Sequence, residues 1–242
     1  MNSFVPDFQK LYKIQDRVIL ALKDELGSFY LTGGTALGRF YLDHRYSEDL
    51  DFFVNADPEF SSKVNRLYQK IKLFFTLDEE LSMVSDSYAR LYLREEPGLK
   101  IDLVNDVPDR WGPLNKTHGF WIDNPANILS NKLAAILNRD EPKDVFDIVT
   151  LACNYSFNWR EVYLQTAKKQ LISETDIGIR LSSFPVQMLS KQLWMKTDQD
   201  LKQFSDKLIT ISNDLIFARD NSLGVGRQDL EKASMLEAAL KS

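Results

Sequence analysis

The sequence has few of the residues that build disulfides and metal centres based on sulfur or imidazole. Its one cysteine, Cys153, allows no disulfide and no multi-thiolate metal site within the chain, which favours a reducing compartment. Its two histidines, His44 and His118, would both be consumed by a histidine-rich zinc centre or by a pair of catalytic histidines. We therefore expect carboxylates to carry most of any chemistry.

The chain also lacks a long apolar run and a surplus of positive charge. Its longest uncharged stretch, residues 148–159, is far shorter than the ~18 apolar residues that span a bilayer, and the start MNSFVPDFQK has no apolar signal region. The net charge is −5, of which −6 falls on residues 1–150 and +1 on residues 151–242. We expect a cytoplasmic protein that contacts no membrane and binds no extended nucleic acid.

The composition is that of a folded protein, with 242 residues of which 44% are hydrophobic and 27% are charged. Apolar spacing predicts an alternation of helices and strands in the first half of the chain. The helices are expected over residues 8–26, ending at Gly27, then after Gly33-Gly34 as far as residue 42, and over 59–75. The strands are expected over residues 29–31, 49–54, 81–93 (a pair of strands) and 99–104.

After Pro125 the apolar residues are spaced three and four apart, which predicts helices over residues 128–138, 144–152, 161–171 and 201–217. Proline and glycine cluster just before this change. The predicted fold class is α/β (α+β): a small mixed-sheet domain over residues 1–115, followed by a helical domain over residues 116–242 that completes a cleft. Clefts between two lobes are common ligand sites.

Two aspartates on one predicted strand form the core of a candidate site. Asp49 and Asp51 leave the same face of the strand, while Leu50 and Phe52 point to the other face. Like charges this close resist ionisation unless a cation lies between them, and oxygen ligands favour Mg²⁺ or Mn²⁺. A solvated strand edge is the alternative interpretation of such a pair.

Two further features point to phosphate chemistry around these aspartates. Gly33-Gly34 lets the backbone approach an anion closely, and Thr35 begins a helix whose N–H groups favour phosphate, although a tight turn alone would also explain the glycines. Asp102 emerges from the strand LKIDLV on the face away from its apolar stripe, and it is a third carboxylate if the two strands are neighbours. Its alternative is an exposed strand residue.

A second cluster of charges follows in the helical part. Lys132 and Arg139 are close to two helical turns apart, so both cations project from one side and could face the same triphosphate. Asp140 is expected to cap the next helix, which places Asp144 and Asp147 on one face of it. The alternatives are a solvated helix face for the cations, and capping with ordinary surface charge for the aspartates.

Four motifs in this order carry a family resemblance: GGTAL, HRYSEDLDFF, KIDLV and NKLAAILNRDEPKDVFDI. Over roughly residues 29–152 the sequence resembles the AbiEii/AbiGii-type toxin nucleotidyltransferases, which are members of the DNA polymerase β-like nucleotidyltransferase superfamily. Thr35 stands where related enzymes commonly have serine. The part beyond residue 152 carries no motif.

The resemblance implies a role for each matching residue. It implies a glycine-rich substrate loop at Gly33, Gly34 and Thr35, with Arg45 and Ser47 placed just before the aspartates, and metal binding by Asp49, Asp51 and Asp102. The late helical motif implies a catalytic Lys132, and substrate-side roles for a set of four residues: Arg139, Lys143, Asp144 and Asp147.

The leading hypothesis is therefore a metal-dependent nucleotidyltransferase. It would move a nucleoside monophosphate from an NTP to an acceptor hydroxyl and release pyrophosphate, with Asp102 deprotonating or orienting that hydroxyl. The resemblance further implies the toxin of a toxin–antitoxin or abortive-infection system, an antitoxin encoded nearby, and a transfer RNA or a protein as acceptor. The alternatives are a noncatalytic nucleotide- or partner-binding protein that keeps the fold, and an antibiotic-type enzyme that modifies a small molecule.

Overall fold

The structure is a computed structural model that describes residues 7–236, which form two compact units. The sheet unit consists of residues 7–108, Leu114–Asp123 and Leu236, and the helical unit consists of Asp109–Pro113 and Asn124–Met235. The boundary predicted after residue 115 falls within Leu114–Asp123, a segment of the sheet unit that lies between two segments of the helical unit.

Seven strands form one mixed sheet in the sheet unit, and this confirms the predicted α/β fold class. Their order across the sheet is β3-β4-β5-β2-β1-β7-β6. The strands run β1 Tyr30–Thr32, β2 Leu50–Asn55, β3 Met83–Val84, β4 Tyr88–Leu93, β5 Leu99–Asp106, β6 Asn115–Thr117 and β7 Phe120–Ile122.

Strand β2 lies in the middle of this sheet because alternate residues pack into the core. Leu50, Phe52 and Val54 are buried. The strand pairs antiparallel with β1 and parallel with β5, in a register that sets Asp51 opposite Thr32 on one side and opposite Asp102 on the other. Paired residues of neighbouring strands point to the same face of a sheet, so Asp51 and Asp102 share one face. The predicted adjacency of the two strands is confirmed.

The helices of this unit follow the predicted pattern with shorter bounds. They are α1 Phe8–Leu22, α2 Gly33–Leu37, which continues as a π-helical turn over Gly38–Leu42, and α3 Phe60–Phe74. Helix α1 ends four residues before the predicted Leu26. The chain continues there in turns closed on the Leu22 carbonyl, and Leu26 still packs into the core. Helix α2 begins at Gly33, so the two glycines form its first turn and not a loop before it.

Strands β6 and β7 were not predicted. Each has three residues, too few to show a period of two, and they lie among the prolines and glycines that indicated a boundary. Strand β7 nevertheless pairs parallel with β1, and its end at Ile122 leads to Asp123, whose carboxylate accepts a hydrogen bond of 2.7 Å from the Thr32 hydroxyl. The sheet therefore extends past the predicted domain boundary.

The helical unit contains the four helices that were predicted after Pro125 and one that was not, α7. The α-helices of the unit run α4 Pro125–Ala135, α5 Pro142–Asn154, α6 Trp159–Ala167, α7 Glu174–Ser182 and α8 Leu201–Ile216. Two short strands, β8 Tyr155–Ser156 and β9 Gln228–Asp229, pair in parallel. Among the described helices, none is both long enough and apolar enough to cross a membrane.

Candidate functional site

The three predicted metal-binding aspartates lie on neighbouring strands of the sheet unit. Asp49 directly precedes β2, Asp51 is its second residue, and Asp102 faces Asp51 from β5. Asp102 is buried, with 8% of its surface exposed, whereas Asp49 and Asp51 are half-buried. Carboxylates this close require positive charge nearby to remain ionised.

Lys100 supplies part of that charge. Its Nζ lies 3.0 Å from Oδ2 of Asp49 and 3.2 Å from Oδ2 of Asp102, so one ammonium joins two of the three aspartates. Lys100 belongs to β5, two residues before Asp102, and therefore projects from the same face of that strand.

Strand β4 holds Asp102 from the other side. Arg90 lies opposite Asp102 in the antiparallel register and donates from Nε to Oδ1 at 2.9 Å and from its terminal NH2 group to Oδ2 at 3.2 Å. The Tyr88 hydroxyl donates to Oδ1 at 2.8 Å. A bidentate arginine contact fixes the orientation of a carboxylate as well as its charge.

These contacts move the pKa values of the two carboxyls in opposite directions. Burial raises the pKa of Asp49, and Lys100 offsets this only in part. Burial also acts to raise the pKa of Asp102, but hydrogen bonds from Arg90 and Tyr88 and the charge of Lys100 outweigh it, so that pKa is lowered. Burial and the hydrogen bond to Asp102 raise the pKa of Tyr88 to about 12, so Tyr88 stays a donor. Asp102 is thus held as an ionised acceptor.

The glycine turn, which is Gly33 and Gly34 in the first turn of α2, packs against Asp51 and Arg45. A Cβ atom on Gly33 would lie 2.7 Å from Oδ2 of Asp51, and Gly33 has φ +67°, a conformation that favours glycine. A Cβ on Gly34 would overlap the guanidinium of Arg45 and lie 3.0 Å from the Ser47 hydroxyl oxygen. Both glycines are therefore required by close approach.

The segment that leads into β2 is held by hydrogen bonds from helices α2 and α1. The Thr35 hydroxyl is fully buried and donates to the carbonyl oxygen of Asp49. From helix α1, the Gln15 amide donates to the Ser47 carbonyl at 3.0 Å, and the Tyr12 hydroxyl accepts from the Ser47 N–H at 3.2 Å. These bonds set where β2 begins, and with it the position of Asp49.

The late helical motif forms a separate cluster in the helical unit. Lys132 of α4 is buried, and its Nζ lies 2.5 Å from Oδ1 of Asp144 and 2.9 Å from Oδ2 of Asp147, both on α5. Arg139 donates from Nε to Oδ2 of Asp144 at 2.7 Å, while 60% of its side chain stays exposed. The predicted common face of Asp144 and Asp147 is confirmed by their shared contact with Lys132.

One detail of this motif was predicted wrongly. Glu141, not Asp140, caps α5, because its carboxylate accepts from the Lys143 N–H at 3.3 Å. Asp140 instead pairs with Arg180. Pro142 occupies the first turn as expected, where a missing N–H has no partner to lose. Lys143 is half-buried.

The predicted site residues therefore fall into two groups, one in each unit. The sheet unit brings together Gly33, Gly34, Thr35, Arg45, Ser47, Asp49, Asp51 and Asp102. The helical unit brings together Lys132, Arg139, Asp144 and Asp147, with Lys143 on the same helix as the two aspartates.

The donor chemistry of the first group fits a divalent cation. Asp49 and Asp102 already direct one oxygen each to a shared positive centre, the Lys100 ammonium, and carboxylate oxygens are the ligands that Mg²⁺ and Mn²⁺ prefer. Within residues 7–236, no three His, Cys, Asp or Glu side chains form a metal site as they stand.

Three residues of this site were missed in the sequence. Lys100 is part of the quoted motif KIDLV but was given no role, and Tyr88 and Arg90 lie on a strand that was predicted without assigning any function. Their signal is the alternation of polar Tyr88 and Arg90 with apolar Ala89 and Leu91. That pattern shows a shared face, but only the register of β4 against β5 shows that the face meets Asp102.

The two cations around Asp144 are expected to differ in their effect on stability. Lys132→Met leaves two buried carboxylates without their shared ammonium, which costs about 3–5 kcal/mol of unfolding free energy. Arg139→Met removes a mostly exposed cation and costs roughly 1 kcal/mol or less. Urea denaturation followed by circular dichroism measures both, and equal losses would contradict the buried role of Lys132.

Asp144 also predicts how stability depends on pH. Burial acts to raise its pKa, but the charge of Lys132 and the hydrogen bond from Arg139 outweigh it, so the folded pKa lies below the ordinary value of 3.8. The contribution of the ionised Asp144 carboxylate to the unfolding free energy is complete above that ordinary value and is lost as pH falls through the folded pKa. In Asp144→Asn, the unfolding free energy is expected to fall less steeply with decreasing pH below about pH 4 than it does in the unmodified protein. Asp109→Asn, which changes an exposed carboxylate, is the control. An Asp144→Asn protein whose unfolding free energy keeps the pH slope of the unmodified protein would contradict this prediction.

Known proteins are similar to this chain in sequence or in fold. A family model for the nucleotidyl transferase AbiEii toxin, Type IV TA system, matches residues 18–221. An uncharacterized protein of Aquifex aeolicus is 31% identical over 154 residues, which are 58% of this chain and 66% of that protein, so the chain spans just under two thirds of this relative's length.

Two solved structures have a similar fold. A candidate nucleotidyltransferase from H. pylori superimposes with a TM-score of 0.57 at 21% identity, over 89% of this chain and 96% of that one. MenT4, a nucleotidyltransferase toxin from Mycobacterium tuberculosis, superimposes with a TM-score of 0.57 at 15% identity, over 86% and 84% of the two chains. These likenesses confirm a nucleotidyltransferase fold. Because the family model covers most of the chain, the protein belongs to the AbiEii family of nucleotidyltransferase toxins, as its four motifs predicted.

Proposed function

We propose that the protein transfers a nucleoside monophosphate from an NTP to an acceptor hydroxyl. The acceptor hydroxyl releases its proton to solvent as its oxygen forms a bond to the α-phosphorus, the bond from that phosphorus to the oxygen bridging the β-phosphate breaks, and pyrophosphate leaves. The observation that carries the proposal is the packing of Gly33, in the first turn of α2, on Asp51: a Cβ atom added to Gly33 would lie 2.7 Å from Oδ2 of Asp51. The turn proposed to receive the phosphates and a carboxylate proposed to hold their metal ion are thus in direct contact.

The glycine turn is proposed to receive the triphosphate. Gly33 and Gly34 lack the side chains that would displace Asp51, Arg45 and Ser47, so the first turn of α2 lies directly against these three residues. Thr35 has a positioning role in this account, because its buried hydroxyl donates to the Asp49 carbonyl. These residues place the NTP beside the aspartates.

Asp49, Asp51 and Asp102 are proposed to hold Mg²⁺ or Mn²⁺. When bound, such an ion polarises the phosphate and neutralises charge on the attacking and leaving oxygens. Asp102 accepts hydrogen bonds from Tyr88 and Arg90, and its pKa is lowered. We therefore propose that Asp102 orients the acceptor hydroxyl and does not retain the proton that this hydroxyl releases.

The late helical motif has a second part in the proposal. Arg139 has an exposed side chain and stays a predicted substrate contact, as the family resemblance implies. Lys132 is buried between Asp144 and Asp147 and is proposed to hold α4 against α5. Lys143 stays a predicted substrate contact.

Membership of a toxin family supports a cellular role as the toxin of a toxin–antitoxin pair, with an antitoxin as its partner. The acceptor is proposed to be the end of a transfer RNA or a protein hydroxyl. An acidic chain of net charge −5 suits a short RNA end or a protein side chain better than a long nucleic acid.

Label transfer tests the proposal directly. The protein is incubated with each α-labelled NTP, Mg²⁺ or Mn²⁺, and total cellular RNA or total protein, and both the label and released pyrophosphate are measured. Asp49→Asn and Asp51→Asn are expected to lower the transfer by at least about 10²–10³-fold, because each removes an oxygen ligand from the reacting phosphate's metal ion.

Asp86→Asn is the matched control, since Asp86 is an exposed carboxylate of the same unit, in the turn between β3 and β4. Circular dichroism checks that the folds are equal. Undiminished transfer in both Asp49→Asn and Asp51→Asn would contradict the site. Nucleotide binding without pyrophosphate release, across both metals and both acceptor classes, would favour the noncatalytic alternative.

A further inference from the structure

We propose that Lys100 is the built-in counter-cation of the aspartate centre, which holds Asp49 and Asp102 together until a divalent metal ion displaces its ammonium. The inference rests on the proposed metal site and adds to it a competitor supplied by the chain. It concerns a residue to which neither the motifs nor the proposed reaction gave a role.

The contacts of Lys100 place its charge between two predicted metal ligands. Its Nζ lies 3.0 Å from Asp49 and 3.2 Å from Asp102, and in both cases the partner atom is Oδ2. The side chain of Lys100 is 27% exposed, against 39% for Asp49 and 11% for Asp102. Asp49 is therefore the carboxylate more open to solvent, and the Lys100 ammonium joins it to the more buried Asp102.

The two cations on Asp102 differ in how easily they can leave. Arg90 donates from its rigid planar guanidinium to both carboxylate oxygens of Asp102, at 2.9 Å to Oδ1 and 3.2 Å to Oδ2. Lys100 makes single contacts through a compact ammonium on a flexible four-carbon stem, and such a group can turn into solvent without moving the backbone. Arg90 therefore sets the orientation of Asp102, whereas Lys100 is the displaceable cation.

This arrangement makes metal affinity a competition. A divalent ion gains the oxygens of Asp49 and Asp102 only by breaking two charge-assisted contacts of Lys100, and a retained ammonium would repel the ion at short range. Without Lys100, neither cost exists. The free carboxylates would then repel each other when no metal is present, so the fold itself would become more dependent on metal.

Mn²⁺ binding to the full-length protein without nucleotide tests this. Free Mn²⁺ is measured by electron paramagnetic resonance during a titration, and the unfolding temperature is recorded in EDTA and in Mn²⁺. Lys100→Met is expected to bind Mn²⁺ on the order of tenfold more tightly than the unmodified protein, the scale on which groups around a metal alter its affinity. Its unfolding temperature should fall in EDTA and recover with Mn²⁺.

Two further variants complete the test. Lys100→Arg keeps a cation and should not gain Mn²⁺ affinity, and Lys116→Met, which removes an exposed lysine of strand β6, should match the unmodified protein. Lys100→Gln replaces Lys100→Met if the latter does not fold.

The outcomes separate this inference from the proposed function. If the unmodified protein binds Mn²⁺ and the uncharged variants bind it equally or more weakly, Lys100 is not a competitor and the inference is wrong, while the metal site stands. If neither the unmodified protein nor any variant binds Mn²⁺, both the metal site and the inference are wrong. If only Lys100→Met or Lys100→Gln binds Mn²⁺ more tightly than the unmodified protein, the result supports both the metal site and the competition by Lys100.

Discussion

Carboxylates that lie close together in partly or fully buried positions need a cation, and this need shapes the aspartate clusters of the two units. In the sheet unit, Asp49, Asp51 and Asp102 lie on or next to neighbouring strands. Arg90 forms an ion pair with Asp102, and Lys100 forms ion pairs with Asp49 and Asp102. In the helical unit, one buried lysine lies between two aspartates of the following helix. The clusters differ in the burial of the lysine that joins two carboxylates: Lys132 is 9% exposed, whereas Lys100 is 27% exposed. We propose the first cluster as the metal site, while Lys132 of the second joins α4 to α5.

The aspartate centre depends equally on backbone that approaches it closely. Gly33 and Gly34 open helix α2 against Asp51 and Arg45, at distances that exclude a side chain. The Thr35 hydroxyl then ties this helix to the residue where β2 begins. A nucleotide's phosphates favour backbone N–H groups, and its metal ion needs carboxylates. The order strand, glycine turn, strand places both within about twenty residues of sequence.

Much of this centre could be predicted from the sequence, because strand alternation determines which residues share a face. Asp49 and Asp51, then Asp102 on a second strand, follow from a period of two together with adjacent strands. Arg90 could not be placed, because its contact depends on the register of β4, which only the folded sheet defines. Strands β6 and β7 are too short to show a period. The cap at Glu141 instead of Asp140 reflects competition for Asp140 by Arg180, which is distant in sequence.

The carboxylates of Asp49, Asp51 and Asp102 are proposed to hold the metal ion of a bound nucleoside triphosphate. A crystal structure with Mn²⁺ and a non-hydrolysable NTP, with anomalous scattering recorded at the manganese edge, tests this proposal most directly. We expect an anomalous peak bonded to Asp49, Asp51 and Asp102, the triphosphate beside Gly33 and Gly34, and the ammonium of Lys100 moved away from Asp49 and Asp102. Manganese and nucleotide bound at any other place, with Lys100 still joined to Asp49 and Asp102, would contradict it.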